Sequence, residues 1–308
     1  MVGMRILMAG ASGFLGTRLA ERLRSAGHDI TRLVRRPATK PDEASWKPAG
    51  GQLDPALVAA ADAVVNLAGA AVGDKRWTAG YKARIRASRV DSTGTLARTI
   101  AQLPAVDRPR VLLNSSAVGW YGETGDREVT EEDPAGTGFL PDVCRVWEAA
   151  AGPAEDAGTR VVLLRTGLPL DERGGLLKPQ MLLFRLGLGG KFGGGRQWVP
   201  WIALEDWLGA VTFLLERADI TGPVNVVGPE PVTNATFTQV FGRLLRRPTV
   251  LVIPGFALHL VLGEYATEPL RSQRVLPAVL ARAGFTWAHP ALESALRAAL
   301  APEPSAAA

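Results

Sequence analysis

The sequence contains one cysteine, Cys144. A lone thiol cannot close an internal disulfide, so the fold does not depend on an oxidising compartment. Long apolar runs are also missing. No stretch approaches the ~18 uninterrupted apolar residues of a membrane span, and the first residues enter a strand pattern without a signal peptide. Together these absences lead to the expectation of a cytoplasmic protein with no membrane partner. The three histidines, His28, His259 and His289, are far apart and have no cysteine or carboxylate at ligand spacing, so no metal is expected. A GxSxG elbow is absent, which disfavours an α/β-hydrolase. The net charge is +5, but no block of like charges and no aromatic interleaving accompanies it, so no nucleic-acid partner is expected.

What is present is ordinary for a globular chain. Hydrophobic residues make up 47% and charged residues 21% of the 308, enough for a large α/β domain or a domain with a smaller lobe. Strand and helix periods alternate. Arg5 to Ala9 reads as a buried parallel strand, and Phe14 to Ala26 as a helix with Leu15, Leu19 and Leu23 on one face, ended by Gly27. Further strands are expected at Asp29 to Val34, Asp62 to Leu67, Arg110 to Asn114 and Arg160 to Arg165. Helices are expected at Ala79 to Ala101 and at Val143 to Ala157, the second bent or interrupted at Pro153. Beyond these, Gly187 to Gly195 reads as a loop, Glu205 to Arg217 and Thr233 to Arg246 as helices, and Val224 to Val227 as a short strand. From Pro254 onward the pattern is helical.

This alternation predicts a Rossmann-type doubly wound parallel sheet with a smaller, mostly helical C-terminal lobe that interleaves with it. Residues 1–250 are assigned to the nucleotide-binding domain, with substrate-lobe segments at about 170–250, residues 251–300 to a small helical domain, and 301–308 to a disordered tail.

Gly10-Ala11-Ser12-Gly13-Phe14-Leu15-Gly16 follows the first strand and opens the first helix. In this GxxGxxG turn Gly10 permits the sharp exit from the strand. Gly13 lets backbone approach a pyrophosphate, and Gly16 lets the helix pack close to the sheet. The helix N-terminus offers free N–H groups to an anion. An NAD-preferring fold usually carries an acid after the second strand, where this chain has Arg35-Arg36-Pro37. Two guanidiniums suit a 2′-phosphate, so NADP(H) is the expected cofactor. The competing reading leaves both arginines as solvated loop residues.

With these motifs, the chain resembles the extended short-chain dehydrogenase/reductases. More closely, it resembles their atypical nucleoside-diphosphate-sugar epimerase-like branch with an appended C-terminal domain. The residues that carry the resemblance include the glycine turn, Asn66-Leu67-Ala68-Gly69-Ala70, Ser115-Ser116-Ala117-Val118-Gly119-Trp120-Tyr121-Gly122, Val143-Cys144-Arg145-Val146-Trp147-Glu148, Leu164-Arg165-Thr166-Gly167 and Pro200-Trp201-Ile202. It implies that Leu67, Ala68 and Gly69 lie beside the adenine and ribose, that Ser115 and Ser116 lie near the nicotinamide, and that the substrate is a small molecule or sugar nucleotide. Related enzymes often pair through helices, which allows a homodimer.

The resemblance fails at the catalytic pair. In the superfamily a Tyr-x-x-x-Lys pair exchanges the proton as hydride moves. The three tyrosines here, Tyr81, Tyr121 and Tyr265, are followed four residues later by Ile85, Gly125 and Pro269. The helper hydroxyl position, four before Tyr121, is Ala117, with Ser116 one place off. Ser116 and Tyr121 are therefore the candidate catalytic residues, although the resemblance implies first that Tyr121 supports the strand end; Cys144 could occupy the vacated tyrosine position, its default being a buried, inert thiol. Three functions follow: an epimerase-like NADP(H)-dependent oxidoreductase with atypical acid/base residues, a catalytically silent NADPH-binding sensor or partner-binding module, or a purely structural protein, whose ligand-free form tight NADPH binding would exclude. Three other features keep two readings each. Glu148 and Arg145 form a solvated or ion-paired helix face by default. Trp198 and Trp201 either stack on a substrate ring or pack internally. Lys82, Arg84, Arg86 and Arg89 occur on one expected helix; Lys82, Arg86 and Arg89, spaced to share a face of it, either hold a diphosphate or remain solvated. Gly189-Gly190-Lys191 is no phosphate loop, because Arg185 replaces the first glycine and Phe192 the magnesium-binding hydroxyl.

Overall fold

The computed structural model describes residues 3–301; of the expected tail, residues 302–308 lie outside them. Its main sheet is built from β1 (Arg5–Ala9), β2 (Asp29–Val34), β3 (Glu43–Ser45), β4 (Ala63–Asn66), β5 (Val111–Ala117), β6 (Arg160–Thr166) and β7 (Gly222–Val226). Their order is β7-β6-β5-β4-β1-β2-β3. Every pairing from β3 to β5 is parallel. The chain builds outward from β1 to β3, then returns to lay β4 on the other side of β1. That reversal of direction opens a crevice at the carboxyl ends of β1 and β4, where such sheets bind ligands. The register sets Ala9 beside Asn66, so the chain leaves both strands side by side at Gly10 and Leu67.

The chain divides into two units. The first comprises Met1–Gly122, Pro134–Arg165 and Ala210–Val224. It holds α1 (Phe14–Ser25), α2 (Pro55–Ala59), α3 (Ala79–Gln102), α4 (Phe139–Ala149) and α5 (Gly152–Asp156). α1 buries Gly16, Leu19, Ala20 and Leu23 as one stripe and carries Arg22 and Arg24 in its last turn, where the helix dipole favours cations. Thr78 caps α3 by accepting from the Tyr81 N–H. Leu7, Val64 and Leu112 of the sheet pack with Leu96 and Ile100 of α3 and Ala154 of α5.

The second unit comprises Glu123–Asp133, Thr166–Gly209 and Asn225–Ala308 and so takes its residues from three stretches of chain. Strand Trp201–Ala203 pairs with Leu168–Asp171, and Trp201, Phe184, Phe237, Phe241 and Leu296 form the core beside it. Trp201 is 1% exposed and donates its indole N–H to the Glu230 carbonyl, which settles it as an internal packing residue. Among the described residues no helix is long and apolar enough to cross a membrane.

Three local features add to or correct these expectations. β3 escapes a periodicity search because Glu-Ala-Ser has no apolar alternation; it forms by pairing with Arg32, Leu33 and Val34. The helix expected over Val143 to Ala157 is two helices. Of the two expected outcomes at Pro153, interruption is the one that occurs: the proline lies in the first turn of α5, where a missing N–H costs nothing. Within the expected loop Gly187 to Gly195, Gly190–Phe192 pairs in parallel with Leu251–Ile253.

Candidate functional site

The three glycines of the turn have separate jobs. Gly10 has φ +78°, and a Cβ there would come within 2.5 Å of the Leu67 carbonyl carbon. A Cβ on Gly16 would come within 2.1 Å of the Gly10 oxygen. Both positions are closed by the protein's own backbone. Gly13 differs: the one atom within 4 Å of its Cβ position is the Gly10 oxygen, at 3.4 Å. Packing does not demand glycine there, and the open side faces outward. Gly13 caps α1 without any side-chain bond, and no acid lies in the first turn. The Phe14, Leu15 and Gly16 amides thus begin a helix whose own first turn carries no carboxylate to offset its positive end.

Gly10, Ser12 and Gly13 border a cavity of about 790 Å³. Its walls include Arg35 and Arg36 after β2, Leu67, Ala68 and Gly69 after β4, and a stripe of Arg84, Ser88 and Asp91 along α3. The volume lies within the range of small-molecule sites. An uncapped helix end at a three-glycine turn, with cations across the cavity, suits a ligand bearing a diphosphate and a further anion. The expected site residues therefore divide. Gly10, Ser12, Gly13, Arg35, Arg36, Leu67, Ala68 and Gly69 line one space. Phe14 and Leu15 are half-buried in the first turn behind it, and Gly16 is buried beneath the turn. Ser115, Ser116 and Tyr121 are not among the cavity's lining residues.

The two arginines are not equivalent. Arg36 donates to the Glu43 carboxylate through both terminal nitrogens, each at 2.8 Å, and also to Thr39 Oγ1 at 3.1 Å. The Glu43 side chain is 1% exposed. The Arg36 hydrogen bond, then the Thr39 amide, hold its carboxyl down at about 2. Arg32 adds a contact to Glu43 at 3.2 Å while pairing with Asp42 at 2.8 Å. The Arg35 side chain, by contrast, makes no hydrogen bond or ion pair among the described residues.

The face of α3 toward the cavity is not the one its arginine spacing suggested. Arg84, Ser88 and Asp91 repeat at four and three residues and line it. Arg89 instead donates to the Ala70 carbonyl at 2.9 Å and stacks on Trp147 at 4.9 Å, and burial pulls its pKa down. Lys82 lies over the Phe139 ring. Arg89 thus supports the 69–70 backbone from behind, and Ser88 Oγ accepts from the Ala70 N–H at 2.9 Å. A buried polar cluster fixes the strand ends below. Asn66 Nδ2 donates to Asn114 Oδ1 at 2.7 Å and to Thr93 Oγ1 at 3.0 Å, while its Oδ1 accepts from the Ala68 amide at 3.1 Å. Trp147 Nε1 also donates to Thr93 Oγ1, at 3.0 Å.

A second cluster gathers the candidate catalytic residues. Ser116 Oγ donates to Glu148 Oε1 at 2.5 Å. Arg165 grips the same carboxylate with Nε at 2.9 Å and Nη2 at 3.0 Å, and donates from Nη1 to the Tyr121 hydroxyl at 3.1 Å. The guanidinium stacks 3.9 Å from the Trp120 ring centroid. Burial works against the Arg165 charge, but the Glu148 bond and charge outweigh it and leave its pKa raised. Glu148 lies four residues after Cys144 on α4. Cys144 itself is buried, and desolvation pushes its thiol up to about 12. Ser115 is half-buried at the end of β5, and its side chain has no hydrogen bond among the described residues. In the second unit Trp198 donates to Asp126 at 2.9 Å and stacks with Arg274 at 4.3 Å. No cluster of three potential metal ligands occurs among the described residues.

Comparison with known proteins gives a consistent result. The model of the NAD dependent epimerase/dehydratase family matches residues 6–142, and that of a domain of unknown function, DUF1731, matches residues 253–299. The epimerase family protein Mb2239 of Mycobacterium bovis is 43% identical over 297 residues, covering 96% of this chain and 97% of that protein. The human epimerase family protein SDR39U1 (isoform 2), crystallised with NADPH, superposes with a TM-score of 0.88 at 34% identity, over 96% of this chain and 99% of that one. A nucleoside-diphosphate sugar epimerase from Corynebacterium glutamicum gives a TM-score of 0.80 at 34% identity, over 97% of this chain but 58% of that longer one.

Proposed function

The chain belongs to the NAD dependent epimerase/dehydratase family, in the branch that carries the DUF1731 domain, and from that premise we propose that it binds NADP(H) and exchanges hydride with a small or sugar-nucleotide substrate. One observation carries the cofactor reading. The uncapped start of α1, with its open Gly13, borders the same cavity as Arg35 and Arg36. The NADPH held by human SDR39U1 supports the cofactor half of the proposal, and the nucleoside-diphosphate sugar for which the Corynebacterium epimerase is named supports the substrate half.

In this reading the amides of Ser12, Phe14, Leu15 and Gly16 hold the diphosphate, with Gly10 shaping the turn and Gly13, whose own N–H goes to the Gly10 carbonyl at 3.1 Å, leaving room for the approach. Leu67, Ala68 and Gly69 flank the adenosine ribose, and the arginine end of β2 takes the 2′-phosphate. Ser115 stands at the nicotinamide end. When bound, the nicotinamide supplies two-electron chemistry as a hydride acceptor or donor at one substrate carbon.

Oxidising an alcohol also releases a proton, and the chain must take it. Ser116 already donates to Glu148, so its oxygen can accept a proton from a substrate hydroxyl as its own passes to the carboxylate. Tyr121 accepts from Arg165 Nη1, and Arg165 holds the Glu148 carboxylate in place with two hydrogen bonds. Ser116 and Tyr121 thus act through one network, with Glu148 as its proton acceptor.

The test is nicotinamide absorbance across a panel of nucleoside-diphosphate sugars and small alcohols and ketones. We expect turnover by the wild type and its loss in Ser116→Ala with NADPH binding kept. Tight NADPH binding with no reaction anywhere in the panel would favour the silent binding module instead.

A further inference from the structure

We propose that a three-sided cationic seat formed by Arg35, Lys47 and Arg84 selects the 2′-phosphate, and that Arg36 serves it as a strut. This rests on the NADP(H) reading above and extends it to two residues outside the arginine pair. All three side chains border the one cavity. They come from three different elements: Arg35 just past β2, Lys47 two residues past β3, and Arg84 on α3. None of the three side chains makes a hydrogen bond or ion pair among the described residues. Arg32 and Arg36, the other two cations of the lining, are committed to Asp42 and Glu43.

The backbone under Lys47 is fixed. Its N–H and carbonyl exchange bonds with Gln52 at 2.9 and 3.0 Å, which closes a tight turn. The next carbonyl, of Pro48, accepts the Thr95 hydroxyl of α3 at 3.0 Å, and the preceding Trp46 amide donates to Val34 at the end of β2 at 3.0 Å. The three elements are therefore tied together around unpaired charges. A surface ion cluster normally pairs such groups. Three left unpaired around a concave space fit a ligand that brings the counter-charge, and a phosphate monoester brings about −1.5 to −2 at neutral pH.

The carboxylates of the lining do not cancel this field. Glu43 is spent on Arg36. Asp91 lies seven residues along α3 from Arg84, about 10 Å away by helix rise, beside Ser88 and Ser92. That places it nearer a ribose hydroxyl than the seat.

Calorimetric titration of NADPH, NADH and 2′,5′-ADP into the wild type, Lys47→Gln and Arg84→Gln tests the seat. Each side chain is exposed and unbonded, so neither variant should disturb folding, and circular dichroism checks this. Each substitution should weaken NADPH and 2′,5′-ADP by about tenfold, the loss expected for one charge-assisted phosphate contact, with NADH shifted less than about twofold. A fall of more than about twofold in the NADPH-to-NADH affinity ratio supports the seat. If the wild type prefers NADPH but either variant keeps that ratio within about twofold, the seat is overturned while the cofactor reading stands. If the wild type itself does not distinguish the two nucleotides, the reading beneath it fails and takes the seat with it.

Discussion

The Arg36 guanidinium lies across the Glu43 carboxylate with two N–H···O contacts of 2.8 Å. An acid after the second strand would ordinarily repel a 2′-phosphate, but this one is 1% exposed and spent on an arginine. The pairing has a pH signature. The Glu43 carboxyl falls from 4.5 to about 2 on folding, so its stabilisation is complete above 4.5 and is lost as pH drops from there toward 2. Other carboxylates titrate in the same window, so the informative quantity is a difference. The melting temperature of the wild type should fall more steeply than that of Glu43→Gln between about pH 5 and pH 2. Parallel curves would mean that the pair does not hold in solution.

The glycine turn yields a split between folding and binding. Gly10→Ala places a Cβ against the Leu67 backbone in a left-handed conformation that costs about 1–2 kcal/mol before any clash. Gly16→Ala drives a Cβ into the Gly10 carbonyl. Both should lower the melting temperature by several degrees. Gly13→Ala meets no such obstacle, at φ −77° and ψ 171°, and should fold normally while losing about tenfold or more in NADPH affinity. Thermal denaturation and titration of the three variants would check this. A Gly13→Ala protein that binds as well as the wild type would remove the diphosphate from that spot.

Glu148 and Arg165 form a buried pair, their side chains 8% and 3% exposed. Removing Arg165 alone leaves a buried carboxylate without its cation. Arg165→Met should therefore cost about 3–5 kcal/mol of stability. The double variant Glu148→Leu, Arg165→Met should recover much of that loss, because both charges are gone. Urea denaturation of the two singles and the double measures the coupling. A strictly additive double variant would contradict the pairing.

Cys144 stands where the resemblance would place a catalytic tyrosine, but burial drives its thiol up to about 12. At about pH 8 it should remain protonated and fail to react with a disulfide reagent in the native state. One equivalent should react on unfolding. Rapid native labelling would mean that the thiol is exposed and ionised, against the geometry.

How far the sequence can be read depends on the range of each interaction. The first strand, turn and helix are legible because their signals are local. Arg5 to Ala9 and Phe14 to Ser25 fall where apolar period and glycine spacing put them. The same holds for Asp29 to Val34. Glu43 is not legible. It is seven residues from Arg36 on a three-residue strand that only pairing creates. Arg84 is visible on the helix, but spacing groups Lys82, Arg86 and Arg89 without saying which face of α3 meets the cavity. An arginine, serine and aspartate at positions 84, 88 and 91 are the available clue. Glu148 and Arg165 are visible as charges within motifs that carry the resemblance, but a helix-to-strand bond across 17 residues leaves no periodic trace. The missing Tyr-x-x-x-Lys pair is readable; the network in its place needs three dimensions.

The central claim is that the open turn at Gly13 and the cationic cavity wall hold NADP(H). Its most direct measurement is the melting temperature of the purified, nucleotide-free protein, with and without saturating NADPH. Ligand at about a hundred times its dissociation constant should add about 2.7 kcal/mol and raise the midpoint by several degrees, with NADH at the same concentration giving a smaller rise. An unchanged midpoint with NADPH would contradict the claim.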